Sequence, residues 1–171
     1  MNNVPRSDPL LMVTQLILRV GMALLALGIL LAAGAAMALV VIPDQQLMPR
    51  LSNGNAIWLV IAGAALVGVM MTLYLFFLRH LSRMVATVGT GDPFQPENAD
   101  RLQTMAWLTL ILQGCMFVLA PLVTMIMDRI GEKGGGLDLS FDGLLLALVL
   151  FVLARVFRHG TTMRDDLEGT V

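Results

Sequence analysis

The chain has 171 residues, of which 57% are hydrophobic and 13% charged, with a formal net charge of −1. A soluble domain usually carries about 25% charged residues. So little charge excludes an ordinary water-exposed surface, and the balanced sign gives no electrostatic footprint for nucleic acid.

Three stretches carry no formal charge at all: residues 20–43, 51–78 and 102–127. A helix needs roughly 20 apolar residues to cross a bilayer core, so each is long enough. A fourth uncharged stretch, residues 143–154, is shorter. The expected fold is therefore all-α: an integral membrane four-helix bundle forming one domain over residues 1–171, with spans near 16–42, 56–78, 102–127 and 139–157. Four such helices and short loops use up these residues and leave no room among them for a separate soluble domain.

The first apolar run follows a mixed stretch with Arg6 and ends in the small residues Ala35, Ala36 and Ala38. It exceeds the roughly 7–15 residues of a signal-peptide core and reads as a retained helix. Pro43 and Asp44 stop it, because proline cannot continue a helical ladder. Residues 43–55 form a polar linker with Pro49, Asn53 and Gly54. The second helix opens with Trp58, a residue that prefers the membrane interface.

Residues 79–101 form the longest polar stretch. Leu81, Met84, Val85 and Val88 recur at helical spacing, so residues 80–88 can extend the second helix as an amphipathic segment. Gly89, Gly91 and Pro93 break it. Pro96, Glu97 and Asn98 read as a helix start, with proline tolerated and an acid favoured in the first turn. Pro121 interrupts the third helix and frees a carbonyl that must find a local partner.

Residues 128–142 are polar and include Gly134, Gly135 and Gly136. Counted over residues 143–157, the fourth helix is about 22 Å long, against a hydrocarbon core of roughly 30 Å. Arg155 can snorkel to the headgroups, the helix can begin near Leu139, or the segment can be re-entrant.

Orientation follows from the basic flanks. Four spans place both termini on one side, with Arg6, Arg19, Arg79, Arg83, Arg101, Arg155, Arg158 and Arg164. Arg50, Arg129 and Lys133 fall on the other. The excess puts the termini and the central loop in the cytoplasm. Arg79-His80-x-x-x-Met84 and Arg158-His159-x-x-x-Met163 hint at a parallel repeat of two hairpins, each motif closing a helix.

His80 and His159 are the only histidines. They can be imagined holding a haem or metal between helices two and four. A histidine beside an arginine at a helix C-terminus is better explained by the helix dipole and the headgroups. Metal sites also need three or four ligands, which no Cys/His/Asp/Glu cluster supplies, so neither cofactor nor metal is expected.

No carboxylate lies inside any expected span, where carriers usually place ionisable groups. Thr109, Gln113 and Thr124 are the notable polar groups at depth. They suit hydrogen bonding between helices, and with Pro121 they support an alternative reading as a small-solute carrier or channel subunit. Gly21, Gly28, Ala32 and Ala36 share a face of helix one, as do Ala64 and Gly68 on helix two. Such faces serve close packing within one chain or between copies, so a homo-oligomer stays open. The single Cys115 forms no intrachain disulfide, and no motif supports catalysis, so an enzyme is not expected.

Two stretches carry a family resemblance. One is Gly91-Asp92-Pro93-Phe94-Gln95-Pro96-Glu97-Asn98, followed by Arg101-Leu102 and Trp107. The other is Leu153-Ala154-Arg155-Val156-Phe157-Arg158-His159-Gly160, closing on Leu167-Glu168-Gly169-Thr170-Val171. Together they resemble the bacterial membrane-protein family catalogued as domain of unknown function 2975, over nearly the whole chain. At the position of Arg155 such proteins often carry an acidic residue. The resemblance implies four spans with both ends inside and no established activity. It also implies a genetic neighbour, a small helix-turn-helix regulator, and hence a membrane protein that holds or releases a DNA-binding partner without touching nucleic acid itself.

The reading that follows is a non-enzymatic regulatory or scaffolding protein, in contact with the lipid bilayer and with a soluble cytoplasmic partner. Its partner-binding residues are expected in the loop and tail: Phe94, Glu97, Asn98, Arg101, Arg158, Asp165 and Asp166. Phe94 is the candidate anchor, an apolar side chain flanked by turns, against the alternative that it is buried on the bundle or sits at headgroup level, as aromatics often do.

Overall fold

The structure is a computed structural model. It describes the backbone of residues 9–41, 56–89, 94–130 and 140–168, and the side chains of residues 9–38, 57–88, 94–128 and 140–163. The described residues form four α-helices and no strand: α1 (Pro9–Val41), α2 (Ala56–Gly89), α3 (Pro96–Ile130) and α4 (Asp142–Glu168). All four are long and apolar enough to cross a membrane. Helices satisfy that setting because every backbone group between their ends is bonded internally.

Each helix outlasts its apolar stretch. α1 begins at Pro9, where a missing N–H is harmless, and Thr14 Oγ1 donates to the carbonyl of Leu10 at 2.8 Å. α2 runs through its polar segment to Gly89, so Arg79 and His80 lie inside a helix rather than closing one. α3 starts at Pro96 with Glu97 in its first turn and continues past Pro121 to Ile130. α4 runs on to Glu168, so its His159 is also internal. Its first described helical residue is Asp142, and the carbonyl of Phe141 accepts the first helical bonds, from the N–H groups of Leu144 and Leu145 at 3.0 and 3.3 Å. Residue 139 itself lies outside the described residues, as do Pro43, Asp44 and the three consecutive glycines.

The helices pack in chain order, α1 on α2, α2 on α3 and α3 on α4. On α1, a Cβ at Gly21 would lie 3.6 Å from Leu78 Cδ1, and one at Gly28 would lie 3.4 Å from Met71 Cε. The small face of α1 therefore receives α2. On α2 the receiving glycine is Gly63, which meets Leu122 and Ile126 of α3, whereas Gly68 faces open space. Trp107 stands edge-on to Phe151 at 5.3 Å and Phe117 meets Phe141 at 6.0 Å, which holds α3 to α4.

The tightest packing is at one end. Leu102, Met105 and Ala106 of α3 are buried against Leu150 and Ala154 of α4, with Phe77, Leu81 and Met84 of α2 alongside. Elsewhere large apolar side chains are bare, including Leu10, Leu24, Leu30 and Leu31 on α1 and Leu145, Leu148 and Val152 on α4. Such a surface would be an aggregation hazard in water and is the expected one against lipid.

Candidate functional site

The helix pairings fix relative heights. Gly21 faces Leu78 and Gly28 faces Met71, so Arg19 stands level with His80. Thr87 meets Asn98 and Gly63 meets Leu122, so Arg83 is level with Leu102 and Arg79 with Ala106. Asp100 meets Arg158, Trp107 meets Phe151 and Phe117 meets Phe141, so Arg155 is level with Gln103. Arg19, Arg79, Arg83, Arg101, Arg155 and Arg158 are the arginines with described side chains. They form a belt within about two helical turns of one height.

The same register sets α4 apart. Its first residue, Asp142, is level with Met116. That is about 20 Å from the height of Arg155. Gln113 of α3 supports this start. Its Nε2 donates to the carbonyl of Ser140 at 2.6 Å, and its Oε1 abuts Gly143, where no Cβ would fit.

Above the belt, the candidate site is where the start of α3 meets α4. Asn98 is fully buried: its Nδ2 donates to Thr87 Oγ1 at 2.7 Å, and its Oδ1 accepts from Arg101 Nη1 at 2.8 Å. Thr87 in turn donates to the carbonyl of Met84 at 2.7 Å. This chain of bonds ties the end of α2 to the first turn of α3. Arg158 reaches across from α4 and donates to Asp100 Oδ1 and Gln103 Oε1, both at 2.9 Å.

Phe94 precedes α3. Its ring lies 5.3 Å from that of Phe157, and Gly160 gives it room, since a Cβ there would sit 3.1 Å from Phe94 Cδ1. One side of the ring is thus held by α4, and 45% of the residue stays exposed.

The expected partner-binding residues separate into three groups. Phe94, Glu97 and Arg158 are exposed around the end of the bundle. Asn98 is internal and Arg101 is half-buried beside it, so this pair shapes the loop rather than facing outward. Asp165 and Asp166 belong to the last turns of α4, with side chains outside the described residues. The sequence reading missed Thr87 and Gly160. Their cue was weak, a hydroxyl one turn past the basic motif and a glycine within a helical pattern.

The polar groups at depth are engaged. Thr109 and Thr124 donate to the carbonyls of Met105 and Ala120 in their own helix, at 2.8 and 3.0 Å. His80 Nδ1 is buried with no hydrogen-bond partner among the described residues. His159 is exposed on α4, roughly 9 Å away in height, and among the described residues no three potential metal ligands cluster.

Fold and site together define a protein of four helices able to span a membrane, with a belt of arginine among the described residues at one end and the Phe94–Asn98 segment above it. The family model described as "Protein of unknown function (DUF2975)" matches residues 44–171, covering α2, α3 and α4, and the chain belongs to that family. No curated protein and no solved structure matches the chain.

Proposed function

We propose that this chain is a non-enzymatic regulatory or scaffolding protein of the bacterial inner membrane, with both termini in the cytoplasm. The arginine belt supports that orientation, because basic residues gather on the cytoplasmic side. The face above the belt binds a soluble partner, and a helix-turn-helix regulator is the partner class that the family resemblance favours. The observation that carries the reading is Phe94: an aromatic ring half exposed, yet held in place by Phe157 and Gly160. A pre-ordered apolar anchor loses little conformational freedom on binding. Exposed Glu97 and Arg158 beside it supply charges of both signs.

The competing reading, a small-solute carrier or channel subunit, has less support. The Thr109 and Thr124 hydroxyls serve their own helix, and Gln113 supports the start of α4.

The test is brief crosslinking in the native host, affinity purification in a mild detergent and mass spectrometry. The wild-type chain is expected to bring down a small soluble regulator, and Phe94→Ala combined with deletion of residues 164–171 is expected to lose it. Intact partner recovery by that variant would refute the proposal. Recovery of only a defined oligomer of the chain itself would favour the carrier.

A further inference from the structure

We propose that the outer face of α3 and α4 holds an anionic phospholipid, its headgroup at Arg155 and its acyl chains along α4. An open groove of about 770 Å³ lies there. Phe151, Ala154 and Val156 give it an apolar wall, and Arg155, His159 and Thr162 give it a polar rim. Arg158 and Gln103 close one end and are already bonded to each other.

Three observations select the occupant. Arg155 is exposed, and among the described residues it has neither a hydrogen-bond nor an ion-pair partner. Arg158, by contrast, is matched by Asp100. The groove therefore presents one uncompensated guanidinium, shaped for a phosphate oxygen pair. Second, Arg155 stands in the arginine belt, the height at which headgroups lie if the four helices cross a bilayer. Third, Val152 and Leu148 are bare and lie one and two turns below Arg155 on the same side of α4. A lipid seated with its phosphate at Arg155 would lay its chains on that stripe. Charge at the rim and hydrocarbon below it fit an amphiphile of negative charge, not a soluble anion and not a neutral lipid. This site shares Arg158 with the soluble-partner face proposed above but is centred on Arg155, which that face does not use.

The test is native mass spectrometry of the full chain in detergent, titrated in separate arms with phosphatidylglycerol, phosphatidylcholine and glycerol 3-phosphate. Phosphatidylglycerol is expected to bind best. Arg155→Gln should weaken it about fivefold, the factor that about 1 kcal/mol per arginine gives, and Arg155→Lys should keep most of it. Arg155→Gln should leave the melting temperature unchanged, because Arg155 contacts nothing polar among the described residues. Equal binding of the two lipids would overturn the proposal. So would glycerol 3-phosphate binding as tightly as the lipid, or phosphatidylglycerol binding unaffected by Arg155→Gln.

Discussion

Asn98 offers the sharpest test of how the loop is held, and Asn98→Ala is the perturbation. The residue is fully buried, and the bonds of its side chain include Nδ2 to Thr87 Oγ1 at 2.7 Å and Oδ1 from Arg101 Nη1 at 2.8 Å. A neutral hydrogen bond contributes about 1 kcal/mol net, and one from a charged donor about 1.5–3 kcal/mol. Arg101 is only half-buried and can turn to water, so the lower end applies to it. The sum is a loss of roughly 2–3 kcal/mol, or about 4–12 °C in melting temperature for a chain of this size. The assay is thermal unfolding of the purified chain in detergent, run on Asn98→Ala, Thr87→Val and the double variant. If the two side chains act on each other, the double variant should fall short of the sum by about 0.5–1.5 kcal/mol. A shift under about 1 °C for Asn98→Ala, or strict additivity of the pair, would refute the argument that this network joins α2 to α3.

Gly143→Ala should destabilise by about 1–3 kcal/mol, because the new methyl displaces Gln113; the same change in a Gln113→Ala background should be near neutral or stabilising, as read by the same melts. Gly160→Ala should make the Phe94 ring give by a few tenths of an ångström, at about 1 kcal/mol or less, and move the ¹⁹F NMR shift of a fluorinated Phe94. Arg158→Ala should change stability by less than about 1 kcal/mol, since its ion pair with Asp100 is solvent-exposed on both sides, so any loss of a soluble partner measured by pull-down would report recognition rather than unfolding. A fluorescent protein fused after Val171 should be fluorescent in a bacterial host, and an alkaline phosphatase fused there inactive; the opposite pair of results would reverse the orientation.

The helices were legible in the sequence because the signal is local. A run such as residues 102–127 has no charge for a reason that needs no partner, and the start at Pro96-Glu97-Asn98 follows from first-turn chemistry alone. The extension of α2 was legible too, from the helical spacing of Leu81, Met84 and Val88 up to the break at Gly89; less legible were the contacts it makes across the fold, Leu81 and Met84 on the α3–α4 core and Thr87 on Asn98. The role of Asn98 was misjudged for the same reason. In a polar loop an asparagine looks available, and only the approach of Thr87 makes it internal. Phe94 lay between two readings, exposed anchor or packed ring, and the structure gives it one face of each.

The short fourth helix links these levels. Its apolar run is about 22 Å long by count, and the register puts Asp142 about 20 Å from the height of Arg155. The first N–H groups of a helix have no partner within it, and where water is scarce each unsatisfied group costs several kcal/mol. Asp142 sits at the positive end of the helix dipole and answers those N–H groups with negative charge, while Gln113 Nε2 donates from α3 to the carbonyl of Ser140, just before the helix. Gln113 then has a structural reason to be polar at depth, and the need to invoke a transport pathway for it falls away. Gln113→Leu would remove that support while leaving the apolar surface intact, so it should lower the melting temperature without any effect on solute flux into liposomes. A loss of flux at unchanged stability would restore the carrier reading.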